Sequence, residues 1–360
     1  MAGTDGAAVR NRAARASLAA GVVIPAHPLA LDNAGRLDER RQRGLSRYYL
    51  AAGAGGLAVG VHTTQFQIHE PQTGLLEPVW ALAAEEMNRA DELRETPLVR
   101  VAGLCGDTPQ AVREARLARE LGYQFGLVSL AHFRGAALGD MLAHLRAVAE
   151  IVDIFGFYLQ PKVGGVELPY RFWRQFCEIE NVAAIKVAAF DRYRTVDVVR
   201  AVAESGRQDV ALYTGNDDNI VLDLVTPYRF EVNGRTEVRH FVGGLLGQWA
   251  VWTRNAVSLH RWCREAACDA EAPSDLLVQA VQLTDANGAI FDYAGNFRGC
   301  IPGIHEVLRR QGLLKSVRCL REDDVLSPNQ AAEIDRVCRA YPHLADDQFV
   351  AEHLDAWLDG

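Results

Sequence analysis

A single lysine in an apolar segment is the strongest chemical signal in this 360-residue sequence. Lys186 lies in the middle of residues 182–190, which are otherwise apolar and strand-like. A buried ammonium is costly, so such a lysine is either paired with a carboxylate or kept neutral. A neutral amine can form a Schiff base with a carbonyl compound, whereas an arginine cannot because it stays protonated. Only three of the 38 basic residues are lysines, namely Lys162, Lys186 and Lys315.

Polar residues also follow several other strand-like segments. Since catalytic residues of a parallel barrel gather at the C-terminal ends of its strands, these positions are candidates for an active site. In chain order they are His62, Thr63, Thr64 and Gln65; His132; Tyr158 and Lys162; Gly215, Asn216, Asp217 and Asp218; Gly243 and Gly244.

The elements that must position these residues alternate between β-like and helical segments, which is typical of βαβ units and a parallel sheet. We therefore expect an α/β fold, a (β/α)8 TIM barrel with a C-terminal helical extension. A doubly wound open sheet is the second candidate, but no G-x-G-x-x-G motif follows the first strand. The eight expected strands are residues 21–24, 56–61, 98–103, 125–130, 154–159, 182–187, 210–214 and 240–246.

The predicted organisation has three parts. Residues 1–20 form a disordered or helical N-terminal arm, because the apolar stretch after them is too interrupted for a signal peptide. Residues 21–258 form the barrel, with a polar loop at 227–239 that contains an Asn233-Gly234 turn between the last two strands. Residues 259–360 form the C-terminal helical region.

Composition limits the partners. The net charge of −8 argues against nucleic acid, and no run of about 18 apolar residues predicts a membrane span. Seven cysteines without C-x-x-C pairs indicate reduced thiols in a cytoplasmic protein. Cys263 and Cys268 lie near His260, but their spacing matches no common zinc pattern, so no metal is expected.

In order and spacing, the candidate residues resemble the dihydrodipicolinate synthase / N-acetylneuraminate lyase family of Schiff-base aldolases. The resemblance covers nearly the whole chain after residue 20, and the 28-residue interval from Tyr158 to Lys186 also suits that family. The matching motifs are Thr63-Thr64, Tyr158-x-x-Pro161, Ile185-Lys186, Gly215-Asn216-Asp217 and Gly243-Gly244.

The resemblance implies a role for each matching residue. Lys186 would attack the ketone of pyruvate or another 2-oxo acid, giving an imine that acts as the electron sink, so no cofactor is required. Tyr158 would relay protons, and Thr64 would pass protons to it. Thr63 would hold the substrate carboxylate. The other substrate-binding residues would be His132, Gly215, Asn216 and Gly244. The family also implies a homo-oligomer, a dimer or tetramer.

Two departures from the family pattern bear on the substrate. Where the family often has Pro-Pro-Tyr-Tyr after strand four, this chain has residues 130–133, Leu-Ala-His-Phe, so His132 or His62 could replace the missing hydroxyl. The arginine that follows Tyr-x-x-Pro in the biosynthetic synthases is also absent. We therefore expect a catabolic lyase of the aldolase type rather than a true dihydrodipicolinate synthase.

Three alternatives remain open from the sequence. A dehydratase could use the same Lys186 imine to expel water. A catalytically weak binding or regulatory protein would form no imine. A metal-dependent barrel enzyme would draw on His62, His132, Asp217 and Asp218.

Overall fold

Eight parallel strands form a barrel in a computed structural model that describes residues 2–269 and 272–360. Met1 of the predicted arm and residues 270–271 of the predicted C-terminal region lie outside the described residues. The bridge between Ala26 and Ala58 brings the two ends of the sheet together, which confirms the TIM barrel. In spatial order the strands are β1 (Val23–Pro25), β10 (Phe241–Leu246), β7 (Ala211–Thr214), β6 (Val182–Ala188), β5 (Asp153–Leu159), β4 (Phe125–Val128), β3 (Val99–Leu104) and β2 (Gly56–Val59).

Helices alternate with these strands and then continue beyond the barrel. Among the described residues, no helix is both long and apolar enough to cross a membrane. The helices are α1 (Ala2–Ala20), α2 (Glu39–Ala52), α3 (Leu76–Asp91), α4 (Thr108–Glu120), α5 (Leu138–Ala149), α6 (Tyr170–Phe176), α7 (Arg192–Ser205), α8 (Ile220–Val225), α9 (Thr253–Asp269), α10 (Ser274–Ile290), α11 (Cys300–Arg310), α12 (Gln330–Ala340) and α13 (Asp347–Asp359).

Local capping explains where several helices begin. Asp107 caps α4 by accepting the Gln110 N–H at 2.9 Å, and Asp191 caps α7 by accepting the Arg194 N–H at 3.0 Å. Such caps satisfy backbone donors that have no partner within the helix. The Asp191 cap fixes the start of α7 at Arg192.

Side chains of the barrel strands divide between two layers because successive residues point to opposite faces of a sheet. On β5, Phe155, Phe157 and Leu159 belong to the cluster inside the barrel. Ile154 and Tyr158 belong to the cluster between the sheet and the surrounding helices. We call these the inner layer and the outer layer.

The N-terminal end of the barrel is covered by α1. Ala14 and Leu18 pack into the inner layer, and Tyr213 donates a hydrogen bond from its hydroxyl to the Leu18 carbonyl at 2.7 Å. Arg15 pairs with Asp153 at the base of β5, at 2.6 Å. The segment expected to be a disordered or helical arm is therefore helical over residues 2–20, and its residues 14–18 pack against the barrel.

The insertion before the last barrel strand is not the polar loop expected for residues 227–239. It is an antiparallel hairpin of β8 (Tyr228–Val232) and β9 (Arg235–Arg239), which packs against α7. Asn233 and Gly234 form its two-residue turn with φ values of 51° and 75°. Positive φ at both turn residues matches the twist of the two strands. The Asn233-Gly234 turn predicted from the sequence is therefore the turn of this hairpin.

The helical C-terminal region joins the barrel through α9. This helix packs against α2, α8 and β1, and thus lies in the outer ring of the barrel. The predicted boundary between residues 258 and 259 falls within α9, which spans Thr253–Asp269. Helices α10 and α12 then pack against each other, and α10 returns to contact α8.

Candidate active site

Lys186 projects from β6 into the inner layer. Its Cα is paired with that of Phe157 on β5, and its Nζ lies 4.8 Å from the centre of the Phe157 ring. The side chain is only 6% exposed. Burial lowers the pKa of Lys186, and the negative charge of Asp217 opposes this shift only in part. A larger fraction of this amine is therefore neutral at neutral pH than for an ordinary lysine, as nucleophilic attack requires.

Asp217 follows β7 and faces the same cavity as Lys186. Its Oδ1 accepts the Gln248 N–H at 2.9 Å, and its backbone carbonyl accepts the Asn287 side-chain amide at 2.7 Å. Burial raises the pKa of the Asp217 carboxyl, while the Gln248 N–H and the Lys186 charge lower it to a smaller extent. The site thus places together an amine, Lys186, that is a weaker base than usual and a carboxyl, Asp217, that is a weaker acid than usual.

Gly215 gives Lys186 the space it occupies. A Cβ at this position would lie 2.6 Å from Lys186 Cε and 2.8 Å from Ala188 Cβ. Both distances are shorter than van der Waals contact, so a larger residue would displace the lysine chain. The glycine after β7 is therefore a requirement of the lysine on the neighbouring strand.

The cavity around Lys186 is small, about 50 Å³, and opens beside a larger vestibule of about 1130 Å³. Phe190, Phe291 and Phe297 line both spaces, and so does Asp217. The vestibule wall is built largely by α10 and by the segment around α12. The C-terminal helical region thus forms part of the site rather than only extending the barrel.

The segment after β2 supplies His62 and Thr63 to the cavity wall. Burial and the Lys186 charge lower the pKa of His62 to about 4, so its imidazole is neutral. Thr64 has a different role, because its hydroxyl donates to the His27 carbonyl at 2.6 Å and accepts the Gly60 and Val61 N–H groups. These bonds hold the turn that presents His62 and Thr63.

Tyr158 is not brought into the cavity. Its ring lies in the outer layer, 5.6 Å from the ring of Trp173 on α6. Its Cα is paired with that of Val187, the outward neighbour of Lys186. Burial raises the pKa of Tyr158, with a smaller opposing contribution from the Leu168 backbone. The relay role expected for Tyr158 therefore finds no support in its position.

Three further candidates lie away from Lys186. His132 is exposed and packs its ring 5.6 Å from that of Phe133. Asn216 is buried in the outer layer, where its side chain bonds Asp223, Thr195 and the Phe190 N–H. A Cβ on Gly244 would lie 2.7 Å from the Trp249 ring in the outer layer, so the side-chain direction at Gly244 is away from the cavity. The structure thus unites Lys186, Thr63 and Gly215, and separates the other five.

His62 and Asp217 carry the polar chemistry that the expected site omitted. Both belong to segments singled out in the sequence. His62 was expected only as one possible replacement for the missing hydroxyl, and Asp217 only as a ligand in the metal-dependent alternative. The alternation of side chains along a strand cannot predict that they face the cavity, because His62 and Asp217 each lie in an irregular turn beyond the end of a strand. Among the described residues, no group of three or more His, Cys, Asp or Glu side chains is arranged to hold a metal ion.

The fold and the buried lysine define a (β/α)8 barrel protein with an amine at the mouth of the barrel. The family model described as "Dihydrodipicolinate synthetase family" matches residues 19–227, more than half of the chain. The chain belongs to this family. Membership supports the expectation that it is a lyase, an enzyme class to which the family's aldolases belong.

Curated relatives match only part of their own length. The 4-hydroxy-tetrahydrodipicolinate synthase of Bifidobacterium longum (strain DJO10A) is 27% identical over 198 residues, which cover 55% of this chain and 60% of that protein. The enzyme of the same name from Clostridium perfringens (strain ATCC 13124) is 25% identical over 129 residues, covering 36% and 43%.

Solved structures agree with the fold over most of the chain. N-acetylneuraminate lyase from Fusobacterium nucleatum complexed with pyruvate has a TM-score of 0.65 at 14% identity, covering 90% of this chain and 98% of that one. Dihydrodipicolinate synthase from Oceanobacillus iheyensis has a TM-score of 0.67 at 18% identity, covering 89% and 96%. At these identities the likeness concerns the fold alone.

Proposed function

We propose that this protein is a lyase that binds a 2-oxo acid, with pyruvate as the first candidate, as a Schiff base on Lys186. The observation that carries the proposal is the position of Lys186, a buried amine of lowered pKa that faces a cavity at the C-terminal end of a parallel barrel. The lyase from Fusobacterium nucleatum, which shares the fold and was solved in complex with pyruvate, supports the choice of substrate.

The chemistry follows from the neutral amine. The Nζ lone pair attacks the C2 carbonyl, the carbonyl π electrons move to oxygen, and proton transfer gives a carbinolamine. Loss of the hydroxyl as water leaves a protonated imine, which draws electrons from C3. Release of a C3 proton then gives an enamine, or cleavage of the C3–C4 bond gives the same enamine and an aldehyde. Thr63 and the neutral His62 offer uncharged polar contacts to the bound acid.

The vestibule favours a second substrate other than one bound through a carboxylate. Its acidic side chains include Asp217, Asp218 and Asp285, and its Arg336 is already paired with Asp285 at 2.8 Å. Lys162, exposed in the loop after β5, is the remaining cation of its lining. We therefore propose a catabolic aldolase-type reaction rather than synthesis of 4-hydroxy-tetrahydrodipicolinate.

Borohydride trapping tests the imine directly. The protein is incubated with pyruvate, reduced with sodium borohydride, digested, and the modified peptide is identified by mass spectrometry. We expect an adduct on Lys186 that is absent from Lys186→Arg, which keeps the charge but cannot form the imine, and present in Lys162→Ala. No adduct with pyruvate or with longer 2-oxo acids would reject the proposal and favour a binding protein on the same fold.

Product analysis separates the two reactions that share the imine. With candidate 4-hydroxy-2-oxo acids, an aldolase releases pyruvate and an aldehyde, whereas a dehydratase releases water and keeps the carbon chain. We expect cleavage.

The homo-oligomer implied by the family belongs to the same proposal, and light scattering of the purified protein measures its oligomeric state.

A further inference from the structure

The cavity of Lys186 contains few groups able to move a proton. Among the described residues, the titratable side chains that line it are His62, Lys186, Asp217 and Cys300. Burial raises the pKa of the Cys300 thiol, and burial lowers that of His62 to about 4. Both therefore remain neutral near neutral pH, with little tendency to lose or gain a proton. Tyr158, the expected relay, lies in the outer layer.

Asp217 is held in a position suited to this task. The Gln248 N–H fixes Oδ1, and Asn287 fixes the Asp217 carbonyl from α10. The next peptide is fixed as well, because Thr284 donates to the Asp218 carbonyl at 2.9 Å. Among the described residues, none donates a hydrogen bond to the second carboxylate oxygen of Asp217, Oδ2. Because Asp217 lines both the cavity and the vestibule, this carboxyl stands between Lys186 and the space for the second substrate.

We propose that Asp217 is the acid–base residue of the Lys186 reaction and occupies the functional place that a tyrosine was expected to fill. This inference rests on the proposed Schiff-base chemistry. Under this assignment, the C3 and C4 positions of a substrate bound to Nζ would point toward the vestibule that Asp217 faces, so its carboxyl would reach the reacting atoms.

One carboxyl can complete the proton balance. In cleavage, the Asp217 carboxylate accepts the proton of the C4 hydroxyl, the C3–C4 bond breaks, and its electron pair moves through C2 to the imine nitrogen. The neutral acid then returns the same proton to C3 of the enamine, regenerating the protonated imine for hydrolysis. Without a second substrate, the carboxylate removes a C3 proton from the pyruvate imine and returns a solvent-derived one. The raised pKa of Asp217 allows both directions near neutral pH.

Two measurements on the 360-residue chain test the assignment. The Lys186 adduct with pyruvate is quantified after exhaustive borohydride trapping, and deuterium incorporation at pyruvate C3 in D2O is followed by NMR. Asp217→Asn keeps an oxygen for the Gln248 N–H but removes the proton carrier. We expect it to form the adduct while exchange falls by roughly 100-fold or more. Tyr158→Phe serves as the matched control and should stay within about threefold of the unsubstituted protein.

The outcomes separate this inference from the proposed function. An adduct on Lys186 with exchange in Asp217→Asn within about threefold of normal would overturn the role of Asp217 alone. An equally large loss in Tyr158→Phe would return the role to the tyrosine. Absence of the adduct from the unsubstituted protein would reject both proposals. Retention of the adduct in Asp217→Asn excludes misfolding as the cause of slow exchange.

Discussion

Lys186 and Tyr158 sit on neighbouring strands, and both are almost fully buried, yet they belong to different layers of the barrel. Lys186 is paired with Phe157 in the inner layer, and Tyr158 is paired with Val187, whose side chain packs in the outer layer. One residue along a strand reverses the direction of the side chain. Burial alone therefore identifies neither a catalytic group nor a structural one.

The same contrast recurs immediately after β7. Asn216 turns outward and bonds Asp223, while Asp217 turns toward the cavity of Lys186. Neighbours in sequence thus serve packing and chemistry respectively. Substitutions in the inner layer should change reactivity, and substitutions in the outer layer should change the free energy of unfolding.

The largest predicted effect is the pH dependence of imine formation. Because burial lowers the pKa of Lys186, the rate of adduct formation with pyruvate should rise with pH and level off below the ordinary lysine pKa of about 10.4. Below the midpoint, the rate should fall about tenfold per pH unit because only the neutral amine reacts. Quenched-flow trapping measures it, and a midpoint at or above the ordinary value would contradict a desolvated lysine.

Stability gives the same pKa a second test. In the pH range between the lowered folded-state pKa and the ordinary unfolded-state pKa, the unfolded chain binds more protons. The stability contributed by this group therefore rises with pH across that range. We expect the unsubstituted protein to gain stability relative to Lys186→Met as pH increases there, measured by urea unfolding of both. An unchanged difference would place the amine in a water-like environment.

Tyr158 should matter most for stability. Tyr158→Ala removes a buried ring that packs against Trp173, and we expect a loss of about 3–5 kcal/mol in the free energy of unfolding, as for other buried aromatic residues. The Lys186 adduct in the folded fraction should be unchanged. Urea unfolding combined with trapping checks both results. If Tyr158→Ala remained stable but lost the adduct, the outer-layer assignment would be wrong.

The fold could be predicted well from the sequence, because eight strand-like segments and the residues between them have clear lengths and stop signals. The directions of side chains could not. After Asp153, residues 154–159 are apolar or aromatic on both faces of β5, so no period of two distinguishes Phe157 from Tyr158. The sixth strand shows the same continuous burial, and only the amine of Lys186 marked its inner face.

The turns beyond the strands were harder still to predict. Thr63 and Thr64 are adjacent, and the sequence does not indicate which hydroxyl faces the cavity. The geometry of the turn decides this, because the Thr64 hydroxyl lies 2.6 Å from the His27 carbonyl and the Thr63 hydroxyl lies 3.4 Å from it. Asp217 depends on Gln248, 31 residues away, and on Asn287, 70 residues away. Such contacts form only when distant segments pack together, here the turn after β10 and helix α10.

A smaller effect is expected at Asn216. Asn216→Ala removes three side-chain hydrogen bonds and leaves the Phe190 N–H without its acceptor, which should lower the free energy of unfolding by about 1–3 kcal/mol. Because Phe190 lines the cavity, the apparent pyruvate affinity should weaken modestly, while the final adduct yield stays normal. Equilibrium unfolding and a pyruvate titration measure these, and loss of the adduct itself would assign Asn216 to the substrate.

Substitution of His132 should have the smallest effect, because this residue is exposed and belongs to neither the inner nor the outer layer. Its exposed imidazole packs beside Phe133, and surface substitutions away from special contacts usually change stability by less than about 0.5 kcal/mol. His132→Ala should therefore exchange pyruvate C3 protons within about twofold of the unsubstituted rate, with Asp217→Asn as the slow reference. A tenfold loss in His132→Ala would mean that the loop after β4 closes over the vestibule during the reaction, and the proton path would then include His132.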